Sequence, residues 1–178
     1  MTPSPNRKNV RSNKSRSLGP SKVAFCGLLV ALALIFSYIE VLIPFNIGVP
    51  GVKLGIANVV IIVVLYHLDW KYAMSVNLVR VLIAGLLFTG AFGALYSLGG
   101  AILSMLIMAL LKRTDIFSIV GVSIAGGVSH NLGQMLIASF MVSNLKMFAY
   151  FPVLIFSGVA SGAIIGVVAY LILKRLPN

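Results

Sequence analysis

Residues 118–140 form a run of apolar and small side chains interrupted by His130, Asn131 and Gln134. As a helix rising ~1.5 Å per residue, such a run is long enough to cross a hydrocarbon core of ~30 Å. At ~3.6 residues per turn, Ser123, Gly127, His130, Asn131, Gln134 and Ala138 fall on one stripe. Amides and an imidazole need partners in hydrocarbon, so this stripe must face other helices or a wet cavity. Two uses are open to it. As glue between helices, each hydrogen bond adds only ~0.6–2 kcal/mol; as a cavity wall, the same groups meet a ligand.

The rest of the chain has the same character. Of 178 residues, 60% are hydrophobic and 10% charged, with mean hydropathy +1.06, outside the range of water-soluble domains. This is the composition of one integral membrane domain in a lipid bilayer. The net charge of +11 would suit a nucleic-acid binder, but Arg7, Lys8, Arg11, Lys14, Arg16 and Lys22 crowd the N-terminus, where they report orientation instead of nucleic-acid binding. Residues 1–21 have almost nothing to bury and are expected to be a disordered basic tail, followed by a membrane domain over 22–178. Cys26 is the lone cysteine, which excludes a disulfide framework and reads as a small packing residue.

Six spans are predicted. The first, 23–43, is too long for the apolar core of a signal peptide and has no small-residue cleavage site after it. Gly27 and Ala31 give it a small-xxx-small face for close helix approach. Glu40 near its end can reach headgroups, a cation or the connecting loop. Residues 44–53 hold two prolines and two glycines, cannot form a regular helix, and are apolar enough to fold back as a lid carrying Lys53. The second span, 54–68, carries Asn58 and is short for a membrane; Tyr66, Trp70 and Tyr72 after it suit an aromatic belt, with His67 as an interfacial residue beside them. The third, 73–89, places Asn77, Arg80 and Ala84 on one stripe. Arg80 lies too deep for easy lipid exposure, so its guanidinium faces inward or snorkels. A tight hairpin at 89–91 leads into the fourth span, 92–111. The sixth, 150–173, opens on Pro152 and repeats Gly158, Gly162 and Gly166 at four-residue intervals, a face for another helix backbone or for a flat ligand.

A cytoplasmic start gives both termini inside. The cations agree, with Lys71, Lys112, Arg113, Lys174 and Arg175 joining the tail on that side, and only Lys53 and Lys146 outside.

Catalysis by this polypeptide alone is unsupported. Holding Mg²⁺ against a diphosphate takes clustered carboxylates, and the three acids, Glu40, Asp69 and Asp115, are far apart in sequence. There is no phosphate-cradling G-x-x-x-x-G-K-S/T loop, and no acid at the depth of His130 for a triad. No cofactor or metal site is indicated. The polar groups that remain are Arg80 and Asn77, the row His130, Asn131 and Gln134, and Asn58 with Lys53. One fixed cation among amides and greasy side chains suits a small amphiphile with a negative or strongly hydrogen-bonding head. Without an energy source of its own, such a bundle needs a partner for net transport.

Four segments carry a family resemblance: Pro50-Gly-Val-Lys-Leu-Gly-Ile-Ala-Asn58, Leu78-Val-Arg-Val-Leu82, Tyr96-Ser-Leu-Gly-Gly-Ala-Ile-Leu-Ser104 and Gly121-Val-Ser-Ile-Ala-Gly-Gly-Val-Ser-His-Asn-Leu-Gly-Gln134. From about Lys22 onward the chain resembles the Gx transporter family, whose members are commonly labelled heptaprenyl diphosphate synthase component I. In size and span count that family is similar to the substrate-binding S components of energy-coupling-factor (ECF) transporters, which dock on a membrane scaffold with two ATPases. The resemblance implies a bacterial plasma-membrane protein with an outward-facing site beneath residues 44–53. It also implies a docking face at Gly27 and Ala31, for which the family pattern has spaced alanines and this chain has Ala24, Gly27, Ala31 and Ala33. Quinone precursors, isoprenoid phosphates and flavin- or vitamin-like molecules all satisfy one cation, several amides and a greasy wall. The label offers a second reading: a non-catalytic membrane accessory to a soluble prenyltransferase.

Overall fold

The computed structural model describes residues 20–42 and 55–176, with side chains from Val23 on. The proposed tail up to residue 19 and the expected lid, residues 44–53, lie outside the described residues.

Among the described residues the architecture is all helical. α1 runs Pro20–Leu42, α2 Ile56–His67, α3 Trp70–Ala84, α4 Gly90–Arg113, α5 Ile119–Val142 and α6 Phe151–Leu173. A π-helical turn, Gly85–Thr89, joins α3 to α4, and a 3-10 turn, Leu145–Tyr150, precedes α6. Local sequence explains the boundaries. Asp69 accepts the Trp70 N–H at the start of α3, and Ser118 Oγ accepts the Gly121 N–H at the start of α5. Pro152 sits in the first turn of α6, where its missing N–H leaves no gap. At Gly90, φ is +75°, and the chain doubles back so closely that Gly85 has no room for a side chain beside Ala94.

Three stretches are long and apolar enough to cross a membrane: Val23–Leu42, Trp70–Arg113 and Leu145–Leu173. The second contains the α3–α4 hairpin. α2 is apolar but has 12 residues, about 18 Å of helix. α5 has the length, at 24 residues, but the glycines and its His, Asn and Gln dilute its hydropathy.

α2 is the core. It is apolar on every side, and Ile61, Ile62, Val64 and Leu65 are fully buried. Its main neighbours are α1, α3 and α6; α4 packs on α3 and α5, and α5 packs on α6. Helices α2 to α6 therefore close a ring, with α1 laid against the α2–α3 side. The α4–α5 and α5–α6 contacts are built on glycines. A Cβ at Gly133 would lie 2.6 Å from the Gly99 carbonyl, one at Gly127 2.5 Å from the Gly158 carbonyl, and one at Gly162 2.7 Å from the Ile124 Cα. The Gly158, Gly162 and Gly166 face thus receives the backbone of α5. Serines seal the same contacts: Ser104 Oγ donates to the Gly126 carbonyl at 2.9 Å, and Ser123 Oγ donates to the Gly162 carbonyl at 2.6 Å. At the other end, Lys112 donates to the Leu65 carbonyl at 2.6 Å, satisfying the last turn of α2, and its ammonium lies 5.2 Å from the centre of the Tyr66 ring.

Candidate functional site

The ring encloses a cavity of about 200 Å³. Every one of the six helices contributes to its wall: Ser37 and Glu40 from α1, Asn58 from α2, Arg80 from α3, Ser97 and Ser104 from α4, His130 and Gln134 from α5, and Ser161 from α6. α3 and α5 are not neighbours in the ring; each packs on α4. Arg80 and the His130 row consequently reach the same space from different sides. Ten residues of α3 precede Arg80, placing it about 15 Å along the helix.

The guanidinium is held by neutral oxygens. Nη2 donates to Asn77 Oδ1 at 2.9 Å and to Asn58 Oδ1 at 3.4 Å, and Nη1 donates to Ser37 Oγ at 3.5 Å. The Nε–H is buried without a partner among the described residues, a costly arrangement in a low-dielectric interior. Ser37 itself donates to the Ala33 carbonyl, so its hydroxyl presents a lone pair to the arginine. Asn77 is buried and does not line the cavity. It sits behind Arg80 and fixes where the cation points.

The α5 stripe divides in two. Ser123, Gly127, His130, Asn131 and Gln134 line the cavity, and Ala138 does not. Asn131 also donates from Nδ2 to the Leu154 carbonyl of α6 at 2.8 Å, which is the gluing role. His130 and Gln134 lie over Gly100 of α4, where a Cβ would meet Gln134 Cγ at 2.7 Å and His130 Cε1 at 3.0 Å. Gly100 therefore makes the room in which the imidazole and amide sit.

Glu40 was not among the sequence-based site residues, yet it lines the same cavity. Its Oε1 accepts the N–H of Gly55, the residue capping α2, at 2.5 Å. Of the three destinations open to it from sequence, it takes the connecting segment. Glu40 shares a helical stripe with Ala33 and Ser37, both buried in the structure, but the sequence alone left its destination open. Apart from Ser123, which lies on the α5 stripe read from sequence, the cavity serines gave no signal, and neither did the π turn, which supplies Gly85, Phe88 and Thr89 to the wall, since lone serines are ordinary packing residues in apolar helices. π turns recur at functional sites, but their register is not written in a composition.

Lys53 lies outside the described residues. Gly27 and Ala31 are exposed on the outer side of α1 together with Ala24, and a Cβ at Gly27 would meet nothing within 4 Å. Ala33 is fully buried and so points away from that face.

The geometry offers binding chemistry. Among the described residues no three His, Cys, Asp or Glu side chains gather as a metal site. Asp69 is exposed and caps α3, and Asp115 is exposed beyond the end of α4.

Comparison with curated proteins gave no match, and neither did comparison with solved structures. Residues 29–172 match the family described as heptaprenyl diphosphate synthase component I, which names a component of a synthase and not a catalytic centre. The match takes in all four sequence segments that carried the resemblance, and it reaches into every helix that builds the cavity. The chain belongs to the heptaprenyl diphosphate synthase component I family.

Proposed function

We propose that this protein is a six-span protein of the bacterial plasma membrane, with both termini in the cytoplasm, that captures a small molecule with a strongly hydrogen-bonding head and passes it on with the help of a partner. The observation that carries the reading is a cavity walled by all six helices, with Arg80, Glu40, Asn58, His130 and Gln134 converging on it. Polar side chains, most of them only part-buried, that reach one space from every helix are what a binding site requires. The size of the space limits the ligand. About 200 Å³ is below the ~300–1,000 Å³ of pockets for drug-sized ligands, which favours a head group or a compact molecule at the polar wall. In this reading the partner is an ECF-type scaffold with ATPases, and the exposed Gly27–Ala31 face of α1 is where it docks. The test is native mass spectrometry of the gently purified protein, which reports ligand mass and bound subunits together. A bound small molecule that Arg80→Gln and His130→Ala each lose, while remaining monodisperse, is expected; retention by both variants would remove these residues from the function.

A second reading is favoured by the family description itself: the chain is a non-catalytic membrane accessory that holds a soluble prenyltransferase or its substrate at the bilayer. Co-purification with a prenyltransferase, in place of ATPases, would select it.

A further inference from the structure

Among the described residues, two of opposite charge line the cavity. Arg80 from α3 and Glu40 from α1 both line it. They are not spent on each other: the guanidinium nitrogens donate to Asn77, Asn58 and Ser37, and Glu40 Oε1 accepts from the Gly55 backbone at the N-terminus of α2. A carboxylate at that end of a helix is where the helix dipole favours negative charge. Each charge is thus anchored by neutral groups of its own and retains capacity towards the space between. Around them stand groups able to donate or accept, Gln134 and Ser97.

We infer that the cavity selects a compact dipolar ligand, with an anionic or accepting group at Arg80 and a cationic or donating group at Glu40, and that it discriminates against a simple anion. This rests on the binding reading above and narrows it. A lone cation would give an anion-selective pocket; two opposite charges lining one cavity give a field that orients a dipole and leaves less net attraction for a monopole. The size limit agrees, because both ends of the ligand must fit within the same small space.

The test uses a cavity thiol. Ser97→Cys is placed in the full chain with Cys26→Ala, reconstituted, and reacted at pH 8 with neutral methyl, cationic ethylammonium and anionic ethylsulfonate methanethiosulfonates, each rate normalised to a free thiol. Normalised cation and anion rates within about threefold of each other are expected. Glu40→Gln should then shift the ratio about tenfold towards the anion, and Arg80→Gln about tenfold towards the cation. A tenfold anion preference in the parent, or a ratio unmoved by Glu40→Gln, would overturn the inference while leaving the cavity in place. Failure of the neutral reagent to react at all would overturn the binding cavity, and the inference with it. Should Arg80→Gln prove polydisperse, the parent ratio and Glu40→Gln decide the matter alone. Ligand retention gives an independent readout on the same variants: Glu40→Gln should lose the co-purified molecule as fully as Arg80→Gln, whereas undiminished retention by Glu40→Gln would assign an anionic ligand and overturn the inference.

Discussion

At the scale of single residues, an arginine in an apolar bundle is defined by what holds it. Asn77 is buried and its Oδ1 accepts the shortest of the Arg80 hydrogen bonds, at 2.9 Å. Asn77→Ala leaves a buried charge with one oxygen fewer and should lower stability by about 1–3 kcal/mol, seen as a fall in melting temperature in detergent. Arg80→Lys keeps the charge but cannot fork towards Asn77, Asn58 and Ser37 together. It is expected to remain folded and to retain the co-purified ligand at least about tenfold less well; wild-type retention by this variant would mean that charge alone matters at this position. The residue scale is also where sequence was easiest to misplace. Asn77 and Arg80 share a stripe, which suggests two residues presented to one surface. Because the arginine is the longer side chain, it reaches the cavity and the asparagine is covered behind it. Glu40 escaped for the opposite reason: its place near a span end offered three plausible partners, and only the position of Gly55 chooses among them.

At the scale of the helix, the glycines decide which surfaces touch. The gain from a four-residue glycine spacing is closeness, and closeness is measurable by adding a methyl group. Gly133→Ala and Gly162→Ala put a Cβ 2.6 and 2.7 Å from backbone atoms of the facing helix, so the helices must separate, at a cost of about 1–3 kcal/mol. Gly27→Ala meets nothing within 4 Å and should leave the melting temperature unchanged or slightly raised, since alanine is the better helix former by about 1 kcal/mol. A drop for Gly27→Ala comparable to that for Gly162→Ala would show that α1 is packed on its outer side in the isolated protein. The helices and the α5–α6 glycine face were legible because 3.6-residue periodicity and small-residue spacing survive in any apolar sequence. The π turn at Gly85–Thr89 was not, because the sequence over that turn differs in no compositional way from the helix it interrupts. The boundary of α2 was readable only approximately: residues 54–68 are apolar throughout, and the helix starts at Ile56 because Gly55, at φ +72°, adopts a left-handed conformation.

For the whole molecule, the ring of α2 to α6 with α1 beside it fixes how the chain must sit in a bilayer if the proposed function holds. Arg80 and His130 each lie about a dozen residues from the start of α3 and α5, near mid-membrane, whereas Glu40 and Gly55 lie at the opposite ends of their helices from the Lys112 and Tyr66 contact. In the proposed orientation, with both termini in the cytoplasm, the Glu40 end of the cavity faces outside. Leu145→Cys, exposed in the turn before α6, should react with a membrane-impermeant maleimide on intact cells, and Thr114→Cys, exposed after α4, should react only after permeabilisation. The reverse pattern would turn the cavity inward and make export or an internal accessory role the natural reading. The same topology separates the two candidate partners. Gly27→Leu adds bulk to an exposed site on α1 that no other helix among the described residues covers, so it should leave the fold and the cavity intact. If α1 docks a membrane scaffold, that substitution abolishes co-purification of the ATPases. If the partner is a soluble prenyltransferase, it binds outside the bilayer and is indifferent to a leucine placed within it.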